Sequence, residues 1–267
     1  MRKEGALTII MSLTSKAYAK GMGAVMIYPR SERQLRTAKL LGQDKLDKLW
    51  QTHCMIFGLG GVGSYAAEAL CRVGIGKLTL VDADQVAVSN LNRQLPALCS
   101  TVGRTKAEVV LERLVDIAPD AEIVAVKAFH LPQSPVAIPD DVNIVVDAVD
   151  TVTAKIDLAM TCFQRQIPII SCMGMGNRLD PTQIRIGDLF QTEGCALCRV
   201  MRRELRKRGV SSLRCVYSTE PACSGLEGIQ AEPKASGHPS PGSLPYVPSV
   251  AGLYMAYEVV RMLCGEY

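Results

Sequence analysis

A glycine-rich turn between a short apolar run and a helical pattern constrains this chain more than any other feature. The run Cys54-Met55-Ile56-Phe57 leads into Gly58-Leu59-Gly60-Gly61-Val62-Gly63, and helical spacing follows. This order predicts a strand, a phosphate-binding loop and a helix, because glycines let the backbone approach a phosphate and a helix N-terminus offers N–H groups to an anion. The glycines assigned to the loop are Gly58, Gly60, Gly61 and Gly63.

A carboxylate follows the second predicted strand. Leu78-Thr79-Leu80-Val81 ends at Asp82. It lies about 20 residues beyond the glycines, where a Rossmann-type unit places an acidic residue on a ribose hydroxyl. The pattern fits NAD, FAD and ATP sites alike, and on the glycines alone a dehydrogenase-like unit is the simplest interpretation.

The residues after Asp82 favour a triphosphate over a dinucleotide. Asn90, Arg93 and Lys106 add hydrogen-bond donors and positive charge at the same edge of the predicted sheet. A triphosphate that is cleaved needs fixed positive charge around it, whereas the pyrophosphate diester of a dinucleotide needs little. The sequence therefore predicts ATP as the cofactor.

A second acidic stretch ends the apolar run 143–147. Asp147-Ala148-Val149-Asp150 stands where a parallel sheet presents its ligand crevice. Asp150 is the candidate ligand for Mg²⁺, which takes one or two carboxylates together with phosphate oxygens. The alternative for Asp150 is an N-cap of the helix that begins near Thr151.

The order of the patterns predicts an α/β fold: a Rossmann-like, mostly parallel sheet with flanking helices and an antiparallel C-terminal extension. Residues 31–50 are predicted as one helix, and Cys195–Arg208 and Val250–Leu263 as two more. The predicted organisation is an N-terminal extension over 1–30, disordered or preceding the true start, and a nucleotide-binding α/β domain over 31–267. That domain divides into a nucleotide-binding core at about 50–173 and a substrate-binding part at about 174–267, with a mobile loop at 224–248.

Composition limits the classes of protein that remain. Apolar residues make up 48% and charged residues 21% of the chain, which argues against a disordered protein. The net charge of +4 permits a nucleic-acid partner without identifying one. Ten scattered cysteines without a secretory signal indicate buried thiols in a reducing cytoplasm. The apolar stretch 7–13 is too short to cross a membrane.

These motifs, in this order, resemble the E1-like adenylating superfamily, which includes the activators of ubiquitin and of sulfur-carrier proteins. The matching segments are GLGGVG at 58–63, LVDADQVAVSNLNRQ at 80–94, VGRTKAE at 102–108 and DAVD at 147–150. Four later segments are closer to one branch, the tRNA threonylcarbamoyladenosine dehydratases: 180–184, 199–209, 216–220 and 242–252. With them the resemblance runs from Arg33 nearly to the end of the chain.

The resemblance implies an ATP-dependent dehydration, a cyclisation, of N6-threonylcarbamoyladenosine in tRNA through an acyl-adenylate. It also implies a homodimer, with room for a sulfur-transfer or redox partner protein. The catalytic residues that it supplies are Arg93, Lys106, Asp150 and Arg33, the last reaching in from the second subunit. The nucleotide-binding set is the four glycines with Asp82, Asp84, Asn90, Arg93 and Lys106. Without the resemblance, Arg33 is interpreted as a solvated helix start.

An arginine stripe follows residue 198. Arg199, Arg202, Arg203 and Arg206 are spaced so that one helix carries all four on one face. Like charges in such a row repel each other and are explained by contact with a polyanion, so the stripe is a candidate tRNA-binding surface. The alternative is a solvated helix face whose cations favour the C-terminal dipole end.

Three rival interpretations remain. The first is an enzyme that adenylates the C-terminus of a small ubiquitin-like sulfur carrier; such activators usually hold zinc with two CxxC pairs, whereas Cys195 and Cys198 form the one CxxC of this sequence. The second is an NAD-binding oxidoreductase, and the third is a non-catalytic nucleotide-binding module. The three histidines have no partners at metal or triad spacing, and no chemistry is assigned to them.

Overall fold

The strand that precedes the glycine loop is buried on both of its faces. All five residues of His53–Phe57 are buried, and alternate side chains enter two different cores. Cys54 and Ile56 pack into one core, while Met55 and Phe57 pack into the other. Burial on both faces is what a parallel sheet between two helical layers requires.

The computed structural model describes residues 12–14, 28–223 and 241–265. Their strands form one sheet in the order β1-β4-β3-β2-β5-β6-β8-β7. The strands are β1 Ser12–Thr14, β2 His53–Phe57, β3 Lys77–Val81, β4 Glu122–Val126, β5 Ile144–Asp147, β6 Ile169–Cys172, β7 Ile184–Asp188 and β8 Arg214–Ser218. The pairs β1–β4 and β7–β8 are antiparallel, and the others are parallel. The predicted fold class, with its antiparallel C-terminal strands, is confirmed.

Helices cover both faces of the sheet. They are α1 Arg30–Arg33, α2 Leu35–Leu41, α3 Gln43–Trp50, α4 Gly63–Val73, α5 Lys106–Ile117, α6 Val152–Arg165, α7 Ala196–Arg206 and α8 Tyr246–Cys264. Buried residues of α4, α5 and α8 share the core of one face, and those of α6 and α7 pack on the other. In the described part of the chain, no helix is long and apolar enough to cross a membrane.

The prediction of one helix over 31–50 is wrong. The segment folds into α1, α2 and α3, which are separated at Gln34 and at Gly42. Gly42 has φ +79°, a left-handed conformation that ends a helix and that glycine adopts without strain. The leucines therefore do not share one face: Leu46 and Leu49 are buried, whereas Leu40 is 85% exposed.

The C-terminal helix begins earlier than predicted. It starts at Tyr246, directly after Pro245, because a proline such as Pro248 is compatible with a first helical turn. Residues 246–248 of the predicted mobile loop are therefore helical, and residues 224–240 of that loop lie outside the described residues. Of the predicted N-terminal extension, 1–11 and 15–27 also lie outside them. The division of the domain at about residue 173 stays a prediction.

The strand order reverses at β2, which has β3 on one side and β5 on the other. Phe57 is level with Val81 of β3 and with Asp147 of β5, so the three strands end together. A crevice outside the carboxyl ends of such strands is where α/β sheets bind ligands. The topology thus places the residues that follow β2, β3 and β5 at one edge.

Helix α8 packs closely on α4 at Gly252. A Cβ atom at this position would lie 2.3 Å from the carbonyl oxygen of Val62 and 3.0 Å from the Cβ of Tyr65. The backbone oxygen cannot move without shifting the start of α4, because Val62 is the N-cap of that helix. Gly252 therefore sets the separation between α8 and the glycine loop.

We expect Gly252→Ala to lower the free energy of unfolding by about 1–3 kcal/mol, the usual penalty of overpacking. The gain in helix propensity, about 1 kcal/mol, is too small to offset a contact this short. Urea unfolding measures the change. The matched control is Gly187→Ala on β7, where the nearest atom, Tyr217 Cε1, lies 3.4 Å from the added Cβ. Equal stability of the two variants would contradict the packing argument.

Candidate active site

The glycine loop is closed by two contacts that only glycine allows. Gly58 has φ +86°, and a Cβ there would lie 2.7 Å from the carbonyl oxygen of Ala148. A Cβ on Gly63 would lie 1.8 Å from the carbonyl oxygen of Gly58. Helix α4 begins at Gly63, and among the described residues no side chain caps it. The Ser64 N–H donates to Gly60 O at 3.2 Å. An N-terminus without a side-chain cap, at the edge where β2 and β5 end, is suited to an anion.

Asp82 holds this loop in place. One carboxylate oxygen accepts the Leu59 N–H at 2.6 Å and the other accepts the Asp84 N–H at 2.8 Å. Burial raises the pKa of the Asp82 carboxyl, while the Lys106 ammonium and the two N–H groups oppose the rise. Each oxygen keeps a second lone pair, so the predicted contact with a ribose hydroxyl remains open to it.

Lys106 and Asp84 form an ion pair beside the loop. The ammonium donates to the Asp84 carboxylate at 2.7 Å, and the Lys106 side chain is 7% exposed while that of Asp84 is 51% exposed. The main chains of the same two residues are also hydrogen-bonded, with Lys106 N donating to Asp84 O at 3.0 Å. An incoming phosphate would compete with Asp84 for the Lys106 ammonium.

A short turn after β3 positions Asn90 and Arg93. The Asn90 side-chain oxygen accepts the Ala87 N–H at 3.1 Å, and its carbonyl accepts the Arg93 N–H at 3.1 Å. Arg93 Nη1 donates to Ser89 O and to Asn92 Oδ1, both at 2.8 Å. Burial lowers the pKa of this guanidinium, which still carries its charge. Nε and Nη2 of Arg93 have no partner among the described residues and can donate to a phosphate.

Asp150 and Asp147 have different environments. Asp150 is exposed at the end of β5. Helix α6 has Thr151 as its N-cap, without a side-chain cap, so the alternative of an Asp150 cap is wrong. Asp147 is fully buried and is held by Lys155, by Ser171 and by the backbone N–H of Val149. Asp150 is therefore the carboxylate that the site presents to a ligand.

The buried pair of Asp147 and Lys155 was missed by the sequence reasoning. Lys155 Nζ lies 3.1 and 3.0 Å from the two oxygens of Asp147 and 3.3 Å from Ser171 Oγ, and Ser171 Oγ donates to Asp147 at 2.5 Å. Lys155 is 1% exposed. The available signal was its position on the apolar side of α6, next to Ala154 and one turn before Leu158 and Ala159.

Arg33 is bound within its own subunit. Its Nε donates to Tyr28 O at 3.1 Å, its Nη1 donates to Ile117 O at 3.2 Å, and its Nη2 pairs with Asp120. Ile117 ends α5, the helix that runs from the carboxyl edge of the sheet toward the opposite edge. The structure thus brings together the glycine loop and the charged residues after β3 and β5, and it leaves Arg33 away from them.

The arginine stripe divides into two kinds of residue. Arg202 is half-buried and donates to Thr192 O at 2.6 Å and to Leu189 O at 3.3 Å, so it fixes a neighbouring turn. Arg199 and Arg203 are exposed, and the Arg206 guanidinium stacks 5.5 Å from the ring of Phe190. All four line one open groove of about 420 Å³, together with Lys207.

The groove has a strongly positive surface. Arg208, Arg203 and Lys207 all hydrogen-bond the half-buried carboxylate of Glu204 and lower its pKa to about 2. One carboxylate among so many cations cannot neutralise them. Lys207 and Arg208 extend the predicted stripe beyond the four arginines that were assigned to it.

The CxxC pair lies at the start of α7 and is buried. A hydrogen bond with Cys198 and burial raise the pKa of the Cys195 thiol. Among the described residues, no group of three or more His, Cys, Asp or Glu side chains could hold a metal ion. The zinc-binding rival gains no support from this part of the chain.

Comparison with known proteins gives one consistent group. The model of the ThiF family matches residues 31–267. The chain is 39% identical over 241 residues to the tRNA threonylcarbamoyladenosine dehydratase of Bacillus subtilis, an alignment that covers 86% of this chain and 94% of that protein. It is 30% identical over 205 residues to the molybdopterin-synthase adenylyltransferase of Escherichia coli, covering 75% of this chain and 79% of that protein.

A solved structure matches the fold over almost its whole length. The tRNA N6-threonylcarbamoyladenosine dehydratase of Escherichia coli, solved in complex with AMP and with ATP, superposes with a TM-score of 0.78 at 32% identity. The match covers 90% of this chain and 97% of that chain.

We expect Lys155→Met to lower the free energy of unfolding by about 3–5 kcal/mol, because it leaves the Asp147 carboxylate buried without its cation. Urea unfolding measures the loss. The double variant Asp147→Asn/Lys155→Met should recover part of it, since no unpaired charge remains. Lys39→Met, on an exposed lysine of α2, is the control. A double variant as unstable as the single one would contradict the ion-pair explanation.

Proposed function

The chain belongs to the ThiF family, in its tRNA threonylcarbamoyladenosine dehydratase branch, and on that premise we propose that it cyclises N6-threonylcarbamoyladenosine in tRNA at the expense of ATP. The observation that carries the proposal is the set of charged groups at the carboxyl edge of the sheet. Lys106 and Arg93 stand beside an uncapped helix N-terminus, with Asp82 next to the loop. This arrangement is suited to a triphosphate.

The reaction has two steps. The carboxylate of the threonylcarbamoyl group attacks the α-phosphate of ATP, which forms an acyl-adenylate and releases pyrophosphate. A neighbouring atom of the same modification then attacks the activated carbonyl, a ring closes, and AMP leaves with the former carboxylate oxygen. The modified nucleoside thereby loses one water.

Ring closure within the substrate requires no nucleophile from the protein, because an intramolecular attack has a high effective molarity. Cys172, the last residue of β6, agrees with this, because burial raises the pKa of its thiol to about 12 and so disfavours the nucleophilic thiolate. The work of the protein is to bind, orient and neutralise charge.

The residues divide the contacts with ATP among them. The open N-terminus of α4 and the loop from Gly58 to Gly63 receive phosphate oxygens, and Asp82 accepts a ribose hydroxyl. Arg93 and Lys106 neutralise charge that develops at the α-phosphate. Asn90 supports Arg93, because its carbonyl accepts the Arg93 N–H. Asp84 holds the Lys106 ammonium until a phosphate replaces it.

Magnesium fits the carboxylate at Asp150. The neighbouring Asp147 is committed to Lys155 and Ser171, and Asp84 pairs with Lys106, so Asp150 is the exposed carboxylate that we assign to the ion. One carboxylate is enough for Mg²⁺, which keeps several waters and takes its other ligands from the phosphate oxygens of the substrate. When bound, the ion neutralises phosphate charge.

The proposed location is the cytoplasm. A tRNA substrate and free thiols are both consistent with its reducing conditions.

The exposed face of the arginine stripe is the proposed tRNA contact. Arg199, Arg203 and Arg206 present their charges on a groove that has no compensating acid other than Glu204 among its described hydrogen-bond partners. Phosphate contacts of this kind supply affinity without sequence specificity. Arg202 acts differently, since its donors are used inside the fold.

We further propose a homodimer. Apolar side chains are exposed on α8 and on the segment after β3, with Leu253 49%, Tyr246 45% and Val88 68% exposed. A contact between two subunits would cover such a surface.

In such a dimer, Arg33 would have to break its bonds to three acceptors to reach the site of the other subunit. Arg36, by contrast, is exposed and has no partner among the described residues. Arg36 is therefore the better candidate for a contact in trans, and sedimentation tests the dimer itself.

The deciding experiment incubates the protein with Mg-ATP and tRNA that carries threonylcarbamoyladenosine. Mild digestion and mass analysis of the nucleosides should show the loss of one water. If the nucleoside is unchanged while ATP–pyrophosphate exchange occurs, the substrate is a carrier protein of the kind that molybdopterin-synthase adenylyltransferases activate. If neither is seen, adenylation is excluded.

We expect Arg93→Ala to slow adenylate formation by about 10²–10³-fold, the usual effect of removing one donor to a developing negative charge. Single-turnover release of pyrophosphate measures the step. The control is Arg72→Ala, an exposed arginine near the end of α4 that lies away from the carboxyl edge. An unchanged single-turnover rate in Arg93→Ala would remove Arg93 from the mechanism.

For the stripe, Arg199→Gln and Arg203→Gln should each weaken tRNA binding and reduce the salt slope of the affinity by about 1. Arg202→Gln should chiefly lower thermal stability, because its donors hold the turn at Thr192. Anisotropy titrations over a range of salt concentrations measure the slopes. Arg185→Gln, on edge strand β7, is the control. Slopes that match wild type in both exposed variants would place tRNA elsewhere.

A further inference from the structure

Arg178 is a buried cation, and two of its nitrogens have no acceptor among the described residues. The residue is 5% exposed, and its Nε and Nη1 atoms are buried without a hydrogen-bond partner. No ion pair within 4.0 Å joins it to a carboxylate of the described residues. A guanidinium that has left water without gaining an anion is unfavourable for folding. Within the described residues nothing compensates this charge, so the guanidinium is suited to an anionic ligand.

The buried carboxylate of the same region serves the backbone. Glu220 is 8% exposed, and its oxygens accept the Leu179 N–H at 2.9 and 3.1 Å and the Asp180 N–H at 3.1 Å. The main chain directly after Arg178 is thus firmly held, while the guanidinium is left unpaired. Such support of the backbone pre-organises a binding side chain.

Arg178 lies in the loop that follows β6. That strand is parallel to β5, with Asp147 level with Ser171, so both end at the carboxyl edge of the sheet. Along this edge stand Asp82 after β3, the glycine loop after β2, the Asp150 segment after β5 and the Arg178 loop after β6. Arg178 is therefore on the side of the phosphate loop opposite to the ribose carboxylate.

Hydrogen bonds connect this loop to the phosphate arginine. Asn177 N donates to Gly242 O at 2.8 Å, and Gly242 N donates back to Asn177 Oδ1 at 2.7 Å. The next residue, Ser243, accepts the Asn92 side-chain N–H at 2.9 Å, and Asn92 Oδ1 accepts Arg93 Nη1 at 2.8 Å. The Arg178 loop and Arg93 thus belong to one continuous wall of the site.

We propose that the Arg178 guanidinium binds the carboxylate of the acceptor substrate and presents it to ATP; this assignment rests on the proposed function. A carboxylate that approaches a phosphate meets like charge, which a fixed cation offsets. The planar fork of arginine matches a carboxylate with two parallel hydrogen bonds. A terminal phosphate of ATP has similar oxyanion chemistry, and the experiment below separates the two sources.

The test compares Arg178→Met, Arg178→Lys and the exposed control Arg185→Met. Arg178→Met should raise KM for the modified tRNA by roughly 10- to 100-fold, the range expected for a lost charged hydrogen bond. It should leave the Kd of ATP, measured without tRNA, nearly unchanged. Arg178→Lys should restore part of the loss, because it keeps the charge without the fork. Arg185→Met should change neither constant.

Thermal unfolding distinguishes binding from a structural role. Since Nε and Nη1 of the guanidinium have no acceptor among the described residues, Arg178→Met should keep or raise the unfolding temperature of the ligand-free protein. A lowered unfolding temperature with a general loss of activity would mark a structural residue and overturn the proposal. Weaker ATP binding in Arg178→Met would assign the guanidinium to a phosphate and overturn the carboxylate, as would an unchanged KM for tRNA.

A separate probe covers failure of the proposed function. If wild-type protein does not act on modified tRNA, that function falls, and acetate then serves as the ligand in a thermal shift measurement. Stabilisation of wild type by acetate that Arg178→Met lacks would support a carboxylate site at Arg178. Equal shifts in both proteins would overturn it.

Discussion

The close approach of Gly58 to the end of β5 is the contact on which the site depends. A Cβ at Gly58 would lie 2.7 Å from the Ala148 carbonyl oxygen, so the loop after β2 touches the segment that carries Asp150. Beneath that segment, Asp147 is held by Lys155 and Ser171. Backbone contact above and a buried ion pair below leave this edge little freedom, which is the condition for electrostatic pre-organisation.

The cations of the site differ in how their charges are compensated when no ligand is bound. Lys106 pairs with Asp84, and Arg93 is anchored through one nitrogen only. Nε and Nη2 of Arg93 have no partner among the described residues, whereas the Lys106 ammonium is already paired. Nε and Nη1 of Arg178 are buried and have no acceptor among the described residues. The three residues therefore differ in how far the described part of the chain compensates their charge.

Local patterns predicted the elements well where the segments were strongly periodic. Helix α7 lies within the helix predicted over Cys195–Arg208, and the parallel sheet follows from the apolar runs. The prediction of one helix over 31–50 failed because the spacing of leucines does not reveal that Gly42 adopts a left-handed conformation. Arg202 resembled its neighbours in spacing, yet only the fold brings Thr192 within reach of its guanidinium.

The sequence by itself determined the phosphate loop, the acidic residues after β3 and β5, and the order of strands and helices, because glycine geometry, apolar runs and helical spacing are local properties of the chain. Tertiary structure alone decided which charges are compensated. Distant segments must come together for Lys155 to pair with Asp147 and for Arg33 to bond Ile117 and Asp120. Only the fold shows that Nε and Nη1 of Arg178 are buried without an acceptor among the described residues. The free energy of a charged group is set by its burial and its neighbours, which no local pattern records.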